Sequence, residues 1–220
     1  MSPRLILASA SPRREALLEG LGLAFNVVPS GIPEDGAEGP ALETAPALAL
    51  AKAREVAARV GAGAVRGADP RIECGPPIPH SAFRNLQCLV LAADTIVECE
   101  GKALGKPADA AEARAMLRAL GGRTHQVVTG VALVDAASGR AETATAVTDV
   151  TFRKLTDAEI AAYIETGEPY GKAGAYAIQG LGGLFVEGIR GSPSNVIGLP
   201  VTLVQDLLRR FGLDLWHLRR

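Results

Sequence analysis

An α/β fold with a mixed sheet is predicted by three observations on this chain. Short runs rich in Val, Ile and Leu alternate with longer stretches of helical period. The 25 glycines fall mostly at the ends of those segments, where elements stop. Two β-branched runs, 124–134 and 143–152, are separated by only a short turn, which makes them an antiparallel hairpin. At 220 residues the chain can bury a core unaided, as one large domain or two small lobes.

The first element is an apolar strand over 5–8. Ser9-Ala10-Ser11-Pro12-Arg13-Arg14 follows and opens a helix reaching residue 21, with Ser11 suited to the N-cap and Pro12 to the first helical position. Arg13 and Arg14 then lie in the first turn, where the macrodipole favours anions by a few tenths to about 1 kcal/mol. Two arginines, two hydroxyls and free amides at one point fit a bound anion, phosphate above all; a solvated basic turn is the alternative. Gly22 suits C′, and 25–28 reads as a short strand. In the Pro/Gly-rich loop 29–36, Glu34 and Asp35 are candidate metal contacts or solvated carboxylates.

Residues 42–60 read as a long Ala-rich helix with Pro46 near its start. Lys52 on it is expected to face solvent unless something nearby needs a cation. The stretch 61–88 has no sustained period and is punctuated by Asp69-Pro70 and Gly75-Pro76-Pro77-Ile78-Pro79, which predicts an inserted surface loop. The apolar strand 89–97 is interrupted by Asp94 and Thr95. A carboxylate inside a buried strand is costly unless it is paired or metal-bound, and folding does not demand one there, so Asp94 is a functional candidate.

Glu100-Gly101 is a turn, 102–104 a short returning strand, and Gly105-Lys106-Pro107 leads to an amphipathic helix over 109–120. In the hairpin, His125 is a candidate catalytic group, although a histidine at a strand start is more often a hydrogen-bonded structural residue. Thr156 and Glu159 form a capping box for a helix that stops at Gly167. The segment 171–183, with Gly171, Gly174, Gly180, Gly182 and Gly183, implies close backbone approach to a ligand or a tight bend between strands. It is neither a Walker A nor a Rossmann sequence, since no G-K-[S/T] follows and no helix opens there. A strand over 184–186, a turn or cap at 191–195 and a final helix over 200–211 complete the chain. Trp216 and His217 lie in a basic tail expected to pack at the surface.

Composition excludes several function classes. A net charge of −1 and 4% aromatic residues disfavour a nucleic-acid binder. Cys74, Cys88 and Cys99 are odd in number and lack C-x-x-C spacing, so neither a disulfide framework nor a zinc site is expected. No stretch approaches the ~20 apolar residues of a membrane span. The apolar run before Arg13 is too short for a signal peptide, and a soluble cytoplasmic protein is expected. A nucleophile elbow with a histidine partner is missing, which disfavours acyl transfer.

What remains is a set of cations (Arg13, Arg14, Lys52, Lys106) with two carboxylates (Glu34, Asp94). Phosphoanhydride hydrolysis asks for this: cations neutralise phosphate oxygens, one carboxylate helps hold Mg²⁺ or Mn²⁺, and another orients or deprotonates water. Ser9–Arg14, Ala93-Asp94-Thr95, Gly105-Lys106-Pro107, Thr124-His125-Gln126-Val127, the Lys172–Gly183 run and Gly198-Leu199-Pro200 resemble the Maf family of nucleoside triphosphate pyrophosphatases, collinearly from residue 4 to about 208. The resemblance implies a Maf/ITPase-like two-lobed α/β fold over 1–220, with an elongated mixed sheet and a central cleft. It implies metal-dependent cleavage between the α- and β-phosphates, giving a nucleoside monophosphate and pyrophosphate. By position, Asp94 matches the proton acceptor, while Arg14, Glu34, Lys52 and Lys106 match phosphate- and metal-site positions, Glu34 as a metal or water contact. The Ser9–Arg14 loop, with Ser9 and Ser11, is implied as the triphosphate cradle.

Arg13, Thr95 and Gln179 match the family branch acting on dTTP and UTP rather than the one acting on 7-methyl-GTP. An amide at Gln179 can both donate and accept, which suits the O4 and N3–H of thymine or uracil. Lys52 and Asp94 are joined by a longer connection than the family's usual one, the excess being the 61–88 segment. The resemblance thus implies a dTTP/UTP pyrophosphatase that clears unwanted or modified nucleotides, and admits a homodimer. A nucleotide-binding regulator, for instance of septation, is the alternative; a proton acceptor would be superfluous in it.

Overall fold

The structure, a computed structural model, describes residues 4–33, 39–61 and 88–219. Seven strands form one sheet: β1 (Arg4–Leu7), β2 (Phe25–Val27), β3 (Cys88–Cys99), β4 (Lys102–Leu104), β5 (Thr124–Asp135), β6 (Ala141–Phe152) and β7 (Val186–Arg190). The order is β2-β1-β3-β5-β6-β7, with β4 beside β3. β1 runs parallel to β2 and β3, whereas the β3–β5, β5–β6 and β6–β7 pairs are antiparallel. The sheet is therefore mixed, and the 124–152 hairpin is present as expected.

Seven α-helices accompany it among the described residues: α1 (Pro12–Gly20), α2 (Ala41–Gly61), α3 (Ala110–Leu120), α4 (Asp157–Glu165), α5 (Pro193–Ile197), α6 (Val201–Arg210) and α7 (Leu215–Leu218). β3 shows how they are placed. Its first half is apolar at every position because both faces are covered. Val90 and Ala92 pack on Ala49, Ala53 and Val56 of α2. Leu89, Leu91 and Ala93 point the other way, onto Leu18 of α1 and Val204, Leu207 and Leu208 of α6. Beyond Asp94 the strand enters a different core, in which Val97 and Cys99 join Leu117 of α3, Ile160 of α4, Phe152 and Phe185. Along β3 the sheet thus passes from one set of apolar clusters to another, and Asp94 lies between them.

Two local facts open a cleft at that junction. β1 pairs with β3 only as far as Leu91, and β4 pairs with it only from Val97 onward. Between those points the edge of β3 has no strand neighbour on that side among the described residues. The loop leaving β1 and the connection leaving β4 flank this gap. On the other side Asp94 is paired with Gly130 of β5. A Cβ at Gly130 would collide with the backbone of Ala45 and Pro46, so the glycine lets α2 settle directly on the sheet.

The structure corrects some expectations. The strand expected over 184–186 starts later: Leu181–Phe185 is a 3₁₀ turn and β7 begins at Val186. The alternation of β7 is hidden in Glu187-Gly188-Ile189-Arg190, whose exposed positions read as loop. The 171–183 segment connects α4 to β7, not strand to strand, and holds another 3₁₀ turn at Ala173–Ala175. Ser11 occupies the N-cap of α1 without a side-chain capping bond; the hydroxyl of Ser9 instead accepts from the Ser11 amide. The helix α7, started by Asp214 accepting from the Trp216 amide, was not foreseen. The capping box of α4 is formed as read, and Trp216 is exposed. The 61–88 insertion falls, apart from Gly61 and Cys88, outside the described residues.

Candidate active site

Arg14 is buried in the first turn of α1, and its guanidinium joins three segments. Nε donates to the Gly198 carbonyl at 2.7 Å, and Nη1 and Nη2 donate to Ser9 Oγ and Thr95 Oγ1, each at 3.1 Å. A rigid fork of donors suits that work better than a lysine would. The loop after β1, the centre of β3 and the α5–α6 connection are thereby tied at one point.

Thr95 is also the start of a hydroxyl chain across the sheet. Its Oγ1 lies 3.0 Å from Thr129 Oγ1, and Thr129 in turn donates to the Asn195 carbonyl. The fully buried Asn195 amide donates to the Val127 carbonyl and to Thr148 Oγ1, both at 2.9 Å. Sequence reasoning missed Thr129, Thr148 and Asn195. Threonine is an ordinary strand residue, and only the alignment of three strands shows that these hydroxyls face one another.

Lys52 reverses its expectation. It does not face solvent but is buried against the sheet, its Nζ donating to Asp94 Oδ1 at 2.6 Å, with side-chain exposures of 4% and 9%. The reason is the carboxylate itself. A buried charge must be matched, and the close seating of α2 brings a lysine to it from the far side of the strand. Lys52 is not among the residues lining the cavity. No protein hydrogen bond reaches Asp94 Oδ2 among the described residues.

At the open edge of β3 lies a cavity of about 230 Å³. Ser9, Ser11, Arg13 and Arg14 form one wall, Asp94 and Thr95 the floor, and Lys106 the side below β4. The far end comes from the glycine-dense segment, with Lys172, Tyr176 and Gln179. Asp94 is the only carboxylate among the described lining residues, against four cations. Lys172 was not singled out in the sequence, although a lysine within a glycine-dense run was a usable signal. Burial, and then the charge of Arg13, lower its pKa, so the two ends of the cavity are in electrostatic contact.

His125 does not line this cavity. It is buried behind it, its Nε2 2.9 Å from Tyr176 Oη, and burial lowers its pKa to about 4. The structural reading of this histidine is the right one. Glu34 lies outside the described residues. Among those described, no cluster of three or more His, Cys, Asp or Glu side chains could hold a metal, and no helix is long and apolar enough to cross a membrane.

The fold and this geometry define an α/β protein with a cation-lined cavity at an open sheet edge and one well-held carboxylate inside it. A model of the Maf-like protein family matches residues 4–211. The chain belongs to the Maf family. It is similar to proteins described as dTTP/UTP pyrophosphatases: one from Moorella thermoacetica, 48% identical over 97% of each chain, and one from Syntrophotalea carbinolica, 47% identical over 94% of this chain and 84% of that one. Another, from Anaeromyxobacter dehalogenans, is 46% identical over 98% of this chain and 97% of that one. A crystal structure of a nucleoside-triphosphatase / dITP/XTP pyrophosphatase from Mycobacterium abscessus is 18% identical, over 69% of this chain and 74% of that chain, with a TM-score of 0.36. That likeness is too loose to say anything of this chain.

Proposed function

We propose that the protein hydrolyses dTTP and UTP between the α- and β-phosphates, releasing a nucleoside monophosphate and pyrophosphate, and so clears unwanted or modified pyrimidine nucleotides. The observation that carries this reading is Asp94: one carboxylate, anchored through Oδ1 by a buried lysine, in a cavity otherwise lined with cations. The names of the similar proteins favour the same substrates.

Arg14, Lys106, the hydroxyls of Ser9 and Ser11 and the amides opening α1 bind the triphosphate, while Arg13 helps choose the base. Arg14 also holds the cavity walls together, through Ser9, Thr95 and Gly198. Thr95 therefore acts on specificity through Arg14, to which its hydroxyl is bonded. Lys52 serves Asp94 instead of touching phosphate: it holds Oδ1 and so aims the carboxylate, leaving Oδ2 to accept a proton from the attacking water. Gln179, exposed at the far end, reads the base through its amide.

A divalent cation, when bound, would acidify the attacking water and screen the phosphates. The donor set fits Mg²⁺ or Mn²⁺, because such ions take one or two carboxylates and complete their shell with substrate phosphates and water. Glu34 would supply the carboxylate that holds the ion, while Asp94 is kept as the proton acceptor.

The test is a panel of nucleoside triphosphates with Mg²⁺ or Mn²⁺, assayed separately for pyrophosphate and orthophosphate. Pyrophosphate release, fastest with dTTP and UTP, is expected. Orthophosphate alone would overturn α–β cleavage, and binding without turnover would favour a regulator.

A further inference from the structure

We infer that Glu168, together with Tyr163, is a positioning pair that sets where Gln179 presents its amide, so that base selection depends on a carboxylate outside the cavity; this rests on the reading of Gln179 as base reader. Gln179 is exposed between two 3₁₀ turns. Its side chain makes no protein hydrogen bond among the described residues. Such a group discriminates between bases only if its backbone is held.

The backbone is held from both sides. Tyr163, on α4 and buried against Phe185, accepts from the Ala177 amide at 3.3 Å and donates to Glu168 Oε1 at 2.8 Å. Glu168 Oε1 accepts from the Gly182 amide at 2.9 Å, and Oε2 from the Leu181 amide at 3.0 Å. The chain is therefore clamped just before and just after Gln179.

The glycines fit this clamp. A Cβ at Gly180 would collide with the Glu168 carboxylate, and one at Gly182 would lie 2.7 Å from the Tyr163 hydroxyl. What approaches this backbone so closely is a side chain of the protein, not a ligand. Burial raises the Glu168 pKa, but the Gly182 amide, the Tyr163 hydroxyl and the Leu181 amide outweigh it and hold the group below its ordinary range.

Glu168 is not needed to finish α4. Thr166 does that, its hydroxyl donating to the Tyr163 carbonyl at 2.6 Å and accepting from the Glu168 amide. The clamp is tied to a lining cation of the same end as well, since Lys172 Nζ donates to the Glu168 carbonyl at 2.6 Å.

The experiment compares kcat/KM for dTTP and dGTP in the wild type, Glu168→Gln, Tyr163→Phe, Gln179→Ala and the Glu168→Gln/Gln179→Ala double variant, with a melting curve for each. Glutamine at 168 keeps the size but places an NH₂ where a carboxylate oxygen met an amide. Glu168→Gln is expected to lower the dTTP:dGTP ratio about tenfold, mainly through the KM for dTTP, and to add little to Gln179→Ala. Tyr163→Phe should shift the ratio the same way by less, and decides the matter if Glu168→Gln does not fold. Lower melting temperatures with the wild-type ratio in both clamp variants, while Gln179→Ala lowers it, would overturn this inference alone. A wild-type ratio in Gln179→Ala would instead remove Gln179 as base reader, and the inference with it.

Discussion

The two ends of the cavity are built in opposite ways. At the sheet edge, Arg14, Lys52 and Asp94 are buried and held by two or more elements: Arg14 by hydrogen bonds to Ser9, Thr95 and Gly198, and Asp94 by its strand and an ion pair from α2. At the far end, Gln179 is exposed on a loop whose backbone, not its side chain, is fixed. On the proposed reading, the groups that serve the shared part of every nucleotide sit on core elements, where a small displacement is costly. The group that reads the base directly sits where one substitution leaves the core untouched. The proposal thus places the chemistry at one end and the direct reading of the base at the other.

The largest effect expected is at the edge. Asp94→Asn keeps the shape but not the proton acceptor, and should lower turnover by about 10²–10⁴-fold while nucleotide binding, measured by calorimetry, persists. Near-wild-type turnover would reject Asp94 as the base. Lys52→Met should cost about 3–5 kcal/mol in denaturant unfolding, because it strands a buried carboxylate. Adding Asp94→Asn to it should recover most of that loss; no recovery would mean that the pair is not what Lys52 supports.

A third prediction concerns the wall between the two ends. Burial holds the His125 pKa at about 4, below its ordinary 6.5. The unfolded chain then binds the extra proton first. The contribution is complete above about pH 6.5 and is lost as pH falls towards 4, up to about 3 kcal/mol. Melting between pH 7 and 4.5 should show that slope, and His125→Gln should flatten it. An unchanged slope in the variant would assign the acid sensitivity to other groups.

The smallest effect belongs to the loop. Gln179→Glu should weaken kcat/KM for dTTP and UTP about tenfold, since a carboxylate cannot donate to O4. Unchanged kinetics on both would remove Gln179 from base reading.

The two ends also differed in how readable they were. Asp94 was legible because a carboxylate in an apolar strand breaks its own local pattern. The capping box and the hairpin were legible because their signals lie within a few residues of each other. Lys52 was marked only by the family resemblance, because a lysine in an Ala-rich helix looks the same exposed or buried, and its partner is 42 positions away. Gly130 showed as a break in a strand, but its cause, the passage of α2 across β5, is a tertiary contact. Glycine density marked 171–183 as a place of close approach, yet only the structure identifies Glu168 as what approaches. A single acidic residue after a helix carries no pattern of its own.

The division of labour is tested most directly by measuring kcat and KM for dTTP and dGTP in Asp94→Asn and Gln179→Glu side by side. Asp94→Asn should lower kcat for both nucleotides by the same factor and leave their ratio of kcat/KM unchanged, whereas Gln179→Glu should change the ratio and spare kcat for dGTP. A ratio altered by Asp94→Asn, or an equal fall in kcat for both nucleotides in Gln179→Glu, would contradict the assignment of chemistry to the sheet edge and choice to the loop.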